Sequence, residues 1–361
     1  MRPNNGEYIS AIDHLRVLAA FMVFSWHFLH GFDGYPVSFS FTPIIFPFSI
    51  FNEGHTGVAL FMVLSGFLFS SILDGNKINY VNFLFNRVVR LFPLLFFVFF
   101  VQIFILLYAN GFSWAGWNQF LMNLLYGFVK PVWPQGAWSI AVELQFYILV
   151  PFLIFFSRNN KYLLFLVILF AVFLRICLFA IKGEVQHFSY LTLLGRIDQF
   201  MLGMLAWSLR NFLVNKNEIT IFLIFCFMLI FNIFDHQGGF YRMPSYPSTS
   251  IWWVFLPTLE GLAYALLITW YCNFVKNVNF NSVLSVFLEK AALLSYSMYL
   301  MHFFFVFDIS KFIHENLFAL NNFYIALFFS FVSFLLILPI CAITYYCIER
   351  PFLKLRKRYI I

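Results

Sequence analysis

The stretch Ala11–His30 of the 361-residue chain, AIDHLRVLAAFMVFSWHFLH, decides how the rest is read. It is an apolar run of membrane-spanning length, yet it carries Asp13, His14, Arg16, His27 and His30. An unpaired charge in hydrocarbon costs at least ~2.5–3.5 kcal/mol on insertion scales, so each of these residues needs a reason to be there. Read as a helix, Asp13, Arg16, Ala20, Val23, His27 and His30 step by three and four residues and share one face. Arg16 and His27 lie about 16 Å apart along the axis at 1.5 Å per residue. The spacing predicts a polar stripe that aligns a fixed cation near one membrane surface with an imidazole deeper inside.

The whole chain has the same character: 62% of its residues are hydrophobic and 10% charged, against about 25% charged in a soluble domain. Apolar runs of about 17 to 25 residues, the length a bilayer requires, recur about ten times. Their approximate spans are 11–30, 56–74, 88–108, 138–157, 162–181, 190–210, 219–235, 252–274, 290–308 and 323–348. The expected fold is an all-α polytopic membrane protein of about ten transmembrane helices, a single domain over 1–361 with a basic tail at 349–361 and no appended soluble domain. Its connections alternate in charge. One side collects Lys77, Arg87, Arg90, Arg158, Lys161, Arg210, Lys216, Lys276, Lys290 and the tail residues Lys354, Arg356, Lys357 and Arg358; the other has only Lys130, Lys182, Arg242 and Lys311. The positive-inside rule then makes both termini cytoplasmic. That distribution accounts for the formal charge of +7 without a nucleic acid partner. Cys177, Cys226, Cys272, Cys341 and Cys347 are scattered singly, an odd set with no CxxC, and read as packing residues. The sequence contains no internal repeat, Gly-rich phosphate loop or metal-ligand cluster.

Topology turns scattered polar residues into a layer. His27, Glu143 in WSIAVELQFY, His302 in SYSMYLMHFF, Arg175, and the Arg196 and Asp198 pair all fall in the outer half of the membrane, with His55 at the start of the second span. Such groups normally face a polar cavity and mark a functional path. Arg196 and Asp198 read most simply as an intrahelical or interhelical charge pair, and an ion pair with Arg175 or Arg196 would account for Glu143 structurally. His55 is expected to shape the outer mouth, while Ser65 and Gly66 of LSGFL permit close helix packing. At the cytoplasmic end, Arg87 and Arg90 in RVVR share a helical face and suit phosphate oxygens; the plainer reading is that they only obey positive-inside statistics. The connection 109–136 contains three Trp and serves either as an interface anchor or as a short roof over a cavity. The outer loop 237–250 is either a plain loop or a sugar-stacking lip.

HLRVLAAFMVFSWH, GHTGVALFMVLSGFL, NRVVRLFPL, WSIAVELQFYILVP, SYSMYLMH and the closing IERPF, in this order, resemble membrane acyltransferase family 3. The resemblance spans nearly the whole chain. It implies about ten transmembrane helices, a cytosolic acyl-CoA donor, Arg16 with His27 filling an R-x10-H pattern, and Arg87 with Arg90 filling the R-x-x-R pattern associated with the donor. Three positions depart from the family: Ala59 stands where an acidic residue is frequent, Met62 where a Phe is, and Leu144 where VEEQFY has a second carboxylate. Many relatives also carry an extracytoplasmic hydrolase-like domain that completes the transfer; none is expected after the tenth span here.

The expected function is transfer of an acyl group, by default acetyl, from acyl-CoA to a hydroxyl of a cell-surface or lipid-linked polysaccharide such as O-antigen or exopolysaccharide, at the cytoplasmic (inner) membrane. His27 acts as base or acyl relay, with Glu143 as a second catalytic residue; either Glu143 or His302 orients the imidazole or binds the acceptor. Arg16, Arg87 and Arg90 bind the donor, while His302, His55, Arg196 and Asp198 support the acceptor side. Acyl-CoA is a substrate, and no tightly bound cofactor or metal is expected. The competing class is a transporter using the same polar stripe as its path, which inverted repeats or paired broken helices would favour.

Overall fold

A computed structural model of the protein describes residues 9–73, 75–111, 113–214, 216–241, 246–278 and 282–361. The chain is helical throughout: α1 Ser10–His30, α2 Ser49–Asn52, α3 Gly57–Leu73, α4 Tyr80–Asn110, α5 Trp114–Tyr126, α6 Trp138–Asn159, α7 Tyr162–Lys182, α8 Gln186–Leu191 and α9 Leu193–Leu213. There follow α10 Asn217–His236, α11 Trp252–Val278, α12 Val283–Leu293, α13 Ser295–Met301, α14 Val306–Asn316, α15 Phe323–Leu336, α16 Leu338–Thr344 and α17 Arg350–Leu353.

Among the described residues, eight helical spans are long and apolar enough to cross a membrane, and nine if the α12–α13 pair, bent by 55°, counts as one. The expected sixth span is α9. It has the spanning length, 21 residues, but Arg196, Asp198 and Arg210 make it more polar than the others. The expected ninth span is broken, because α12 ends at Leu293 and the chain turns at Leu294 into α13, a short 3-10 turn and then α14. The protein is thus an all-α, multi-pass integral membrane protein.

Burial sorts the helices. In the span Gly54–Leu73, 78% of the most apolar window is buried, against 22% in Tyr162–Lys182, so α3 is a central helix and α7 is largely turned to lipid. The most extensive helix–helix contact among the described residues, between α3 and α9, depends on two glycines. A side chain at Gly66 would stand 2.1 Å from the Phe200 carbonyl oxygen, and one at Gly203 would stand 2.2 Å from that of Val63. Small residues let helix backbones approach in this way where no hydrophobic effect drives them together. The expected packing role therefore belongs to Gly66; its neighbour Ser65 points elsewhere.

The connection after α4 is partly ordered as the helix α5, with Ser113 capping its N-terminus by accepting from the Gly116 amide. The chain end is no loose tail. After α17, Asn82 and Asn86 donate to the carbonyls of Arg358 and Lys357, and Lys357 returns a backbone N–H to Asn86 Oδ1.

Candidate functional site

A cavity of about 90 Å³ opens among α1, α3, α4, α6 and α13, lined by Arg16, Ser65, Arg87, Arg90, Ser139, Glu143, Tyr147 and Tyr299 together with apolar side chains. Helical periodicity assembles it. Ser139, Glu143 and Tyr147 recur every four residues on α6, so they form one stripe about 12 Å long. On α3, Val58, Phe61, Met62, Ser65 and Leu68 do the same. The volume admits a handful of waters and is well below the ~300 Å³ at which pockets begin to enclose small-molecule ligands.

At the cytoplasmic end stand the arginines. Arg16 is partly exposed and its Nη1 lies 3.2 Å from Asp13 Oδ1, one turn earlier on the same helix. Arg87 is 5% exposed and is surrounded by the rings of Phe69, Phe83, Tyr147 and Tyr359, 5.1 to 5.9 Å from its guanidinium carbon. Its Nε has no acceptor. Arg90 lines the cavity beside it, and among the described residues no carboxylate lies within ion-pair distance of either.

Midway, Glu143 accepts from the Ser65 hydroxyl at 3.1 Å and, on the same oxygen, from the Tyr147 hydroxyl. It pairs with neither Arg175 nor Arg196, contrary to the structural account expected for it. Among the described residues no hydrogen bond or ion pair joins it to His27, whose ring neighbours are Trp26, His302, Phe303 and Phe307. Ser65, Ser139, Tyr147 and Tyr299 were not singled out from the sequence as site residues. The four-residue spacing of Ser139, Glu143 and Tyr147 is the signal that picks out two of them.

The far end is closed by a hydrogen-bonded plug: Ser139 donates to the Tyr299 hydroxyl at 2.6 Å, which lies 3.2 Å from the Gly136 carbonyl. Beyond it come the imidazoles. The His302 ring is centred 6.0 Å from that of Tyr299 and 5.3 Å from that of His27. His302 Nδ1 faces the Met298 carbonyl at 3.1 Å. A carbonyl only accepts, so Nδ1 carries the proton and Nε2 of the neutral ring is left as a lone pair. That Nε2 is buried and unpartnered. His27 is partly exposed and has no hydrogen-bond partner among the described residues. Thus Arg16 lines the cavity, as the shared face predicts, but His27 does not: it stands two rings past the cavity's end. His30, on the same predicted face, is turned away to the carbonyls of Val37 and Asn52.

The remaining supporting residues form a separate buried cluster. Arg175 and Asp198 make an ion pair at 2.6 Å with both side chains wholly buried, and Arg175 also donates to Gly195 O and Thr258. Arg196 donates to Tyr190 O and to Gln199 at 2.9 Å, with the Tyr190 ring 4.3 Å from its guanidinium. Of the intrahelical and interhelical pairings open to Arg196 and Asp198, Asp198 takes the interhelical one, with Arg175; the two do not pair with each other, because side chains two residues apart on a helix do not face each other. His55 does not shape a mouth. It is 1% exposed, with Nε2 3.0 Å from Glu53 Oε2 and the Phe240 ring 4.7 Å away. Loop residue Phe240 donates its N–H to Glu53, which folds the outer loop in over the histidine. Burial raises the Glu53 carboxyl to about 8. Further along the loop, Tyr241 stacks parallel to Trp26 at 5.9 Å and on Tyr246 at 4.9 Å, so these tyrosines pack with one another; 242–245, Arg242 among them, lie outside the described residues.

The sequence pattern of the family described as "Acyltransferase domain", Acyl_transf_3, matches residues 9–345. The chain belongs to the acyltransferase 3 family. It is also similar to a Bacillus subtilis (strain 168) protein named "Putative peptidoglycan O-acetyltransferase YrhL", 29% identical over 165 residues, 40% of this chain and 23% of that protein. The chain thus matches under a quarter of that relative's length. No solved structure matches it.

Proposed function

We propose that this acyltransferase family member moves an acyl group, acetyl by default, from cytosolic acyl-CoA to a hydroxyl of an extracytoplasmic or lipid-linked polysaccharide at the cytoplasmic membrane. One observation carries the reading: a single line of polar groups runs from three arginines through Glu143 to Tyr299 and, two rings on, to His27. The arginine end suits the phosphates of the donor, since guanidinium forks bind phosphate oxygens bidentately. The thioester arm would follow the Glu143 stripe. The relative named for peptidoglycan O-acetylation supports a polysaccharide hydroxyl as the acceptor.

In the direct form of the reaction, His27 takes the proton of the acceptor hydroxyl as that oxygen attacks the thioester carbonyl. The carbon–sulfur bond then breaks and the sulfur leaves as CoA, recovering the proton. In the relay form, the imidazole first receives the acyl group and passes it to the hydroxyl. His302, with Nδ1 held by Met298, is placed to orient His27 through its free Nε2. The cavity is too small for a pantetheine arm as it stands, so donor binding must shift Tyr299 and Phe303 aside. The test is labelling of a membrane glycan from radiolabelled acetyl-CoA. Membranes carrying the wild-type chain are expected to transfer label and those carrying His27→Ala are not, at equal protein abundance; undiminished transfer by the variant removes His27 from the chemistry.

A further inference from the structure

The cytoplasmic end holds a third arginine that the R-x-x-R spacing does not announce. Asn79, Asn82, Asn86 and Arg90 recur at three- and four-residue steps and therefore form one face of α4 from Asn79, its N-cap, upward. The chain end runs antiparallel along that face. Ile361 donates to Lys77 O at 3.0 Å, the Asn79 N–H reaches Tyr359 O at 2.8 Å, Asn82 reaches Arg358 O at 2.9 Å, and Asn86 grips Lys357 from both sides at 2.7 and 2.9 Å. Tyr359 packs its ring on Phe83 at 5.6 Å. The next residue along the line is Arg356, near enough for the charges of Arg90 and Arg87 to act on it.

Three positive charges then lie near one another, and among the described residues none of them is ion-paired. Arg356 Nε and Nη2 and Arg87 Nε are buried and have no acceptor. No carboxylate lies within ion-pair distance of Arg87, Arg90 or Arg356 among the described residues. Burial, with the charges of Arg90 and Arg87, lowers Arg356 to about 10. Buried unpaired guanidiniums are costly, and a cluster of them is stable only with an anion. Glu349 lies near enough to feel the charges of Arg90 and Arg356, but it makes no ion pair with either: the Ser297 hydroxyl holds Oε1, and Oε2 is buried without a partner.

We propose that Arg356 is a phosphate-binding residue, and that the chain end, laced to α4, completes with Arg87 and Arg90 a three-arginine site for a multiply phosphorylated nucleotide, that of the acyl-CoA donor. This rests on the donor reading above. The segment then has a job that its basic composition alone does not reveal: it sets one guanidinium fork opposite two others, so that separate phosphoryl groups are held at once.

Titration calorimetry of CoA into the full-length protein in phosphatidylcholine nanodiscs tests it. Loss of a charge-assisted bond predicts that Arg356→Gln weakens CoA binding about tenfold or more, that Arg356→Lys recovers part of the loss, and that Lys354→Gln, on an exposed neighbour, stays within twofold. Transfer from acetyl-pantetheine, which has no nucleotide, should be equal in wild type and Arg356→Gln, a result that a merely misfolded chain end would not give. Wild-type affinity in Arg356→Gln overturns the role of Arg356 and leaves the donor reading standing. A parallel fall in acetyl-pantetheine transfer makes the segment structural and also overturns it. Failure of the wild type to bind CoA, with only phosphatidylglycerol retained at the cluster, assigns the arginines to a lipid headgroup and overturns both.

Discussion

Two groups of buried arginines stand in opposite halves of this bundle, and they are treated differently. Arg175 and Arg196 are held by Asp198, Thr258, Gln199 and backbone carbonyls, with Arg175 Nε alone left without an acceptor. Arg87 and its neighbours have aromatic faces and an open cavity in place of acids. The first arrangement is what a charge needs to survive inside a membrane protein, paired and hydrogen-bonded. The second leaves charge unspent. The difference teaches that depth in the membrane does not by itself mark a functional cation: what marks it is the absence of a partner.

The sharpest way to break the comparison is to remove the chemistry and keep the scaffold. His27→Ala should lower transfer from acetyl-CoA by about 10²–10⁴, the range of a general acid–base group, with little change in the thermal unfolding midpoint, because His27 has no hydrogen bond to lose. Arg175→Met should do the reverse. It strands the buried Asp198 carboxylate, and breaking one side of a buried pair costs about 3–5 kcal/mol, visible as a collapse of folded protein in detergent; the double variant Arg175→Met with Asp198→Leu should recover much of it. Arg87→Gln with Arg90→Gln should raise the apparent KM for acetyl-CoA about ten- to a hundredfold by loss of charge-assisted bonds, with kcat and unfolding nearly unchanged. If that pair unfolds the protein as Arg175→Met does, the distinction between the two groups fails.

The smallest effect concerns pH. Glu53 is raised from 4.5 to about 8 by burial, so the folded state holds its proton more tightly than the unfolded state. Stability from this group is complete below pH ~4.5 and is lost as pH rises through about 8. The unfolding midpoint should fall across that window, and Glu53→Gln should flatten the slope by that share; an identical slope in the variant removes Glu53 from the linkage.

Much of this was readable in advance. Hydrophobic runs of bilayer length fix the fold class, because helical periodicity is a local property, but of the face predicted on α1 only Arg16 reaches the cavity and His27 and His30 do not. Pairing is not local. Asp198 chooses Arg175 on another helix, Glu143 chooses Ser65 and Tyr147, and His27 meets His302; each depends on how helices are rotated against one another, which Gly66 and Gly203 set by contact. The chain end escaped notice for a related reason. Its basic residues satisfy topology statistics whether or not they touch anything, so only the asparagine ladder of α4 discloses that they are held.

The plug of Ser139, Tyr299 and the Gly136 carbonyl has a consequence for the cell's energetics. A route open from cytosol to exterior would let protons run down the membrane potential through any water it held. With a phenol and a carbonyl closing one end and the Phe303 ring against His27, the hydrogen-bonded file is interrupted between the two aqueous phases. Under the proposed function, that closure would let a donor enter from one side without joining the two aqueous phases.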